Sequence, residues 1–263
     1  MKSVSKHRLL AGILMRRCML PVLGCLVLTS LCVAAEPVVG IYLRPTQDPK
    51  QAILGFEGIK LALEENGYED RVRYVADFDA KNLNDIRVLV LPCIYGYPPE
   101  WTEDQVAAGL RAFVEKGGGL LVFNESIGWR RAFAKRPPFP EIGRGTGKGD
   151  PYMDSADSGT GPMTLKYIFL EPADSRHPIL QDIQGFFKVL LDTPEIVPGD
   201  KGTVVIKNKA GGAAALVVGQ IGKGRVALIA PNLGIGLRNV EQPPTGNTLK
   251  LLLNLVRWAA GSP

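Results

Sequence analysis

Three glycines in a row, Gly117-Gly118-Gly119, run into Leu120-Leu121-Val122-Phe123 and then into Asn124-Glu125-Ser126. A glycine run ends a helix, because it tolerates left-handed backbone and has poor helix propensity. Four consecutive apolar residues without alternation predict a strand buried on both faces. The polar tripeptide predicts the carboxyl end of that strand, where open α/β sheets bind ligands. A strand buried on both faces needs a layer on each side of it, and the flanking sequence supplies helices for that purpose.

Residues 37–43 read as a first strand and 44–49 as a loop. The spacing of Phe56, Ile59 and Leu63 predicts a helix over 51–66 that Asn66-Gly67 stops. Strands follow over 71–76 and 86–91. Thr102 and Gln105 form a capping box for a helix that reaches Lys116, with Val106, Leu110, Phe113 and Val114 inward. This alternation predicts parallel strands joined by right-handed crossovers. Residues 134–162 are rich in Gly and Pro and read as a long loop, functional or disordered. Strands at 167–170, 203–207, 213–218 and 225–230, with a tight turn at 222–224, predict an antiparallel extension on the parallel sheet. A helix over 247–260, ended by Gly261, closes the chain. Residues 36–263 read as one domain.

The first 35 residues carry Lys2, Lys6, Arg8, Arg16 and Arg17 without an acid, then an apolar run from Cys18 to Val33. Val33-Ala34-Ala35 offers a cleavage site, so a signal peptide ending at Ala35 is expected, with a periplasmic or secreted product. An uncleaved anchor and a lipoprotein acylated at Cys25 are the alternatives. Those five basic residues account for the whole net charge of +5; the remaining 26 basic residues match the 26 acidic ones. A nucleic-acid partner therefore has no electrostatic support, and no membrane span is expected after residue 35. Of the four cysteines only Cys93 lies beyond the segment, so no internal disulfide is expected.

Candidate chemistry gathers at predicted strand ends. Glu125 is the candidate acid–base, with Arg130 or Arg131 as its counter-charge, since a carboxylate at a buried strand mouth needs a partner. Asn124, Ser126 and Asn232 add polar groups, and Tyr95, Tyr97 and Trp101 add aromatic surface suited to a sugar ring or to packing. Ser126 reads more readily as a helix cap than as a nucleophile. Cys93 reads as a small buried apolar residue rather than a nucleophile. His177, in His177-Pro178-Ile179, reads as fixing its loop. The spacing of Asp150, Asp154 and Asp157 fits no calcium loop. No metal set and no cofactor motif is read.

Four stretches carry a resemblance. Gly117 to Val122 is similar to the glycine-rich entry to the nucleophile strand of class I glutamine amidotransferase-like domains. His177-Pro178-Ile179 with Phe187 and Asp192, Gly222-Lys223-Gly224-Arg225-Val226, and Asn254 to Gly261 resemble segments of its trehalose-utilisation (ThuA-like) branch. The resemblance implies an α/β, flavodoxin-like three-layer sandwich, mostly parallel with a C-terminal antiparallel extension. It also implies a cysteine nucleophile at the turn after the glycine-rich strand. That turn here reads Phe123-Asn124-Glu125-Ser126, and Ile235 stands where ThuA-like members often carry a histidine. The expected function is an exported accessory or binding protein for a small polar ligand such as a sugar. The alternatives are a hydrolase or isomerase using Glu125 with Asp192 or Glu195, and a structural cell-envelope domain whose interface is an apolar patch around 142–163.

Overall fold

The structure is a computed structural model that describes residues 37–128, 133, 136–146, 167–190, 195–236 and 240–261. The leader segment, Arg130, Arg131, Asp192 and the three loop aspartates lie outside the described residues.

The amino-terminal half alternates as expected. β1 (Val39–Tyr42) is followed by the short β2 (Ile53–Leu54), α1 (Phe56–Leu63) and β3 (Val72–Val75). α2 (Ala80–Leu83) leads to β4 (Val88–Leu91), the short β5 (Cys93–Ile94), α3 (Glu103–Glu115) and β6 (Gly119–Phe123). Then come β7 (Gly143–Thr146), β8 (Tyr167–Pro172), β9 (Phe187–Leu190), β10 (Glu195–Pro198), β11 (Thr203–Asn208), β12 (Ala214–Ile221), β13 (Gly224–Ile229) and α4 (Gly246–Ala260).

One mixed sheet runs in the order β3-β1-β4-β6-β13-β12-β11-β8-β9, with β10 and β7 attached beside β12. The ladders from β3 across to β13 are parallel. From β13 onward they are antiparallel. This is the α/β architecture with an antiparallel extension that the periodicities predict.

β4 and β6 are buried along their whole length. Each Leu or Val there contributes about 1.5–3 kcal/mol by leaving water. The three glycines before β6 have three different reasons. Gly117 has φ +111° and turns the chain out of α3. A Cβ on Gly118 would lie 2.4 Å from the Phe113 ring of α3, and one on Gly119 would lie 2.4 Å from the Ala259 carbonyl oxygen of α4. Consecutive residues entering a strand face opposite sides, so α3 and α4 cover opposite faces of the sheet. The end of α4 is tied to the amino edges of two strands: Arg87 donates to the Ala260 carbonyl at 2.8 Å and Arg225 to that of Trp258 at 2.6 Å.

Four sequence readings need correction. The first helix begins at Phe56, because residues 49–54 form a 3-10 turn and β2 instead. The 134–162 stretch is not loop throughout: Gly143–Thr146 pairs with β10, and Phe139 and Ile142 are wholly buried. Ile142 therefore cannot contribute to an exposed apolar patch. β5, β9 and β10 are strands too short to show a period. Ser126 caps no helix; it sits inside a 3-10 turn, Asn124–Ile127. The Thr102–Gln105 capping box is present on both sides, and Gly67 and Gly261 take positive φ where helix stops were expected. No helix among the described residues is long and apolar enough to cross a membrane.

Candidate functional site

The sheet places the ends of β4, β6 and β13 side by side, and Asn124, Glu125 and Ser126 follow the middle one. Asn124 takes φ +47°, a left-handed conformation that asparagine tolerates better than most residues. The turn points its side chain across the strand ends. Its Nδ2 donates to the Ala230 carbonyl beyond β13 at 3.0 Å, and its Oδ1 accepts from the Cys93 thiol at 3.6 Å. The Ser126 hydroxyl donates to the Pro92 carbonyl at 2.5 Å and accepts from the Ile94 N–H at 3.1 Å. The turn after β6 is thus stitched to both neighbouring strand ends. Asn124 is 1% exposed, and Glu125 and Ser126 are 0% exposed. These side chains come together at the carboxyl edge, but as the bonded interior of that edge.

Cys93 is buried, and no histidine among the described residues faces it. His177 lies at the other end of the molecule. Its Nδ1 accepts from the Ile179 N–H at 3.3 Å, and its ring lies 5.9 Å from that of Trp258. Trp258 is held by Arg225 at the start of β13, hence at the amino edge of the sheet. A base for Cys93 or Ser126 cannot come from there, and the loop-fixing bond is the one expected of the His-Pro-Ile turn. Burial lowers the His177 pKa; Arg225 lowers it further and Asp174 opposes them. The unfolded chain therefore takes up a proton before the folded one does. The stability held by neutral His177 is present above the unfolded value of 6.5 and is lost as the pH falls below it. Asparagine keeps a cap acceptor without titrating. His177→Asn is expected to flatten the fall in melting temperature between about pH 7 and pH 5, checked by calorimetry across that range.

Tyr97 stacks with Trp101 and meets Phe133 edge to face, with Tyr42 and Phe78 completing the cluster. Its hydroxyl is buried without a hydrogen-bond partner. Burial pushes its pKa well up, with Tyr42 and Glu103 adding to the rise. This geometry is that of packing, not of a ring platform open to ligand. Tyr97→Phe removes a buried hydroxyl that makes no bond. It is expected to leave stability unchanged or raise it by up to about 1 kcal/mol, measured by urea unfolding. Tyr95, half exposed, donates its N–H to the Ala52 carbonyl at 2.9 Å.

The strand order reverses direction between β1 and β4, the crevice in which open α/β sheets hold ligands. Here the loops after these two strands pair with one another, β2 against β5. A polar cavity of about 170 Å³ remains beside them, with Arg44 bonded to Glu100 at 2.7 Å and lying 5.1 Å above the Trp101 ring.

Asn232 is different. It lines a cavity of about 370 Å³ beyond the end of β13, walled by β9, residues 242–244 and the first turn of α4. Beside it, Glu241 closes the start of α1: its two carboxylate oxygens accept from the Gly55 N–H at 2.6 Å and the Gly58 N–H at 2.9 Å. A carboxylate at a helix start is favoured by the exposed N–H groups and the helix dipole. The separation of 183 residues between Gly58 and Glu241 left no local signal for this contact. Glu195 stands on β10 opposite Thr146. No group of acidic, histidine or cysteine side chains among the described residues has the arrangement of a metal site.

No protein-family model matches this sequence. No curated protein matches it either. Solved structures do match. A ThuA-like protein from Bacteroides uniformis superposes with a TM-score of 0.57 at 12% identity, over 86% of this chain and 93% of its own. One from Parabacteroides merdae gives 0.55 at 16% identity, over 86% and 91%. PurLQS from Thermotoga maritima, a glutamine amidotransferase, gives 0.53 at 14% identity, over 85% and 99%. At such identities the likeness is one of fold, and by fold this chain is similar to the ThuA-like proteins and to the amidotransferase, as the glycine-rich strand and the late hairpin lead one to expect.

Proposed function

We propose that this chain is an exported, non-catalytic accessory domain of amidotransferase-like, flavodoxin-like build that binds a small polar ligand of the carbohydrate type. The observation that carries the reading is the state of the turn after β6. In an amidotransferase-like domain this turn presents a nucleophile to solvent. Here it holds Asn124, Glu125 and Ser126, all buried, with the amide and the hydroxyl engaged in bonds to neighbouring strand ends. Cys93 faces Asn124 rather than a base. The degenerate triad is part of this proposal. So is export: the basic, apolar and small-residue sequence of the leader supports cleavage after Ala35 and a periplasmic or secreted location.

Use of Glu125 as an acid–base requires contact with substrate, and its complete burial weighs against that. A structural role in the cell envelope has one observation of its own. Phe169 and Phe186 are 46% and 54% exposed on the far edge of the sheet and pack edge to face.

The test has three arms. Ammonia release from glutamine is expected to be absent, and Cys93→Ala is expected to cost at most about 1 kcal/mol of stability without altering ligand affinity. Glutamine hydrolysis that disappears in Cys93→Ala would overturn the non-catalytic reading. A thermal-shift screen of sugars is expected to raise the melting temperature, and a flat screen counts against a carbohydrate ligand. Mass spectrometry of the protein from its host is expected to give an amino terminus at Glu36.

A further inference from the structure

The cavity beside Asn232 has a composition that the buried turn lacks. Its volume of about 370 Å³ falls within the range of about 300–1,000 Å³ typical of small-molecule sites. Asn232, Gln242 and Asn247 bring three amides to its wall, and Thr245 and Thr248 bring two hydroxyls. Phe187 and Leu233 give it an apolar flank. Amides and hydroxyls both donate and accept, which matches the hydroxyl groups of a polyol, each of which does the same. The apolar flank suits the C–H face of such a ligand. No carboxylate lines the cavity among the described residues, and Lys188 carries the sole formal charge on its described wall. Among the described lining residues an ammonium group finds no counter-ion, and they include no pair of carboxylates for glycoside hydrolysis.

Asn232 adds a second observation. Its side-chain oxygen lies against Gly55 and has no hydrogen-bond partner. Buried polar atoms are nearly always bonded, so an orphan at a cavity wall calls for an explanation. That oxygen is shut off from solvent against Gly55, so a ligand hydroxyl would satisfy it only with the Asn232 amide turned toward the cavity.

We infer that this cavity is the ligand site and that it takes a polyhydroxylated molecule, neutral or anionic, in preference to a cationic one. The inference rests on the binding reading proposed above and gives it a place and a chemical class. It is separate from the turn after β6, where a relative with a nucleophile would work.

Calorimetric titration of the full chain with D-gluconate, D-glucose, D-glucosamine and acetate tests it. Gluconate and glucose are expected to bind, glucosamine at least about tenfold more weakly, and acetate not at all up to about 10 mM. Asn232→Ala and Asn247→Ala are each expected to weaken gluconate binding about tenfold or more. Asn247 lies in the first turn of α4, so its variant keeps the test alive if Asn232→Ala fails to fold. Unchanged affinity in a folded Asn247→Ala and a folded Asn232→Ala would overturn the cavity as the site and leave the carbohydrate reading standing. Glucosamine binding as tightly as gluconate, or acetate binding like either polyol, would overturn the class. Absence of binding to all four would overturn this inference, and the binding reading falls with it only if the wider sugar screen is also flat.

Discussion

Asn124→Leu is expected to lower the unfolding free energy by about 2–5 kcal/mol, measured by urea unfolding. Leucine has nearly the shape of asparagine, so volume is not the issue. Two losses combine. The Ala230 carbonyl loses the Nδ2 donor that reaches it at 3.0 Å, and a buried acceptor stripped of its donor costs about 1–3 kcal/mol. Leucine must also hold φ near +47°, a left-handed conformation that costs an ordinary residue about 1–2 kcal/mol. Asn124→Gly separates the two, because glycine accepts the backbone and still loses the bonds. Its destabilisation is expected to be smaller than leucine's by about 1–2 kcal/mol. Equal losses in both variants would show that the backbone conformation carries no cost.

Gly119→Val is expected to destabilise by about 3 kcal/mol, the upper end for overpacking. Even the first added carbon would lie 2.4 Å from the Ala259 carbonyl oxygen and 2.8 Å from its Cβ. Those are atoms of α4 close to its backbone, which no side-chain rotation removes. Relief requires moving the last turn of α4, which Arg87 and Arg225 anchor. A control sits at Gly211, where an added Cβ meets nothing within 4 Å and φ is not positive. Gly211→Ala is expected to be neutral or to stabilise by up to about 1 kcal/mol, by restricting the unfolded chain. Similar costs at both positions would refute the packing argument for the glycine run.

Much of this was legible in the sequence because it is local. The capping box at Thr102, the buried run of β6 and the stops at Gly67 and Gly261 are each written within a few residues. The placing of Asn124, Glu125 and Ser126 at the carboxyl edge also followed, since it needs only a strand direction. What those residues do there did not follow. Their partners are Pro92, Cys93, Ile94 and Ala230, brought in by the sheet order and not by any spacing. For the same reason the Tyr97 hydroxyl's burial and the Glu241 contact with α1 could not be read. The short strands were missed because two to four residues show no period, and the 134–162 stretch because Gly and Pro are as much at home in β7 and its approach as in a loop. Arg130 and Arg131, chosen as counter-charges for Glu125, lie outside the described residues.

The order of the strands has a consequence for how the chain comes into being. β6 takes one neighbour, β4, from the sequence just before it, but its other neighbour is β13, with Gly119 opposite Arg225. While the chain grows from its amino terminus, the middle strand stands with one side bare until nearly the whole protein exists. The loop that must close to cover it is long, and pairings of that kind are slow to form. Asn124 waits equally long for Ala230. A nascent chain built in this order stays pliable for most of its synthesis, the condition in which a polypeptide can still be threaded through a narrow pore.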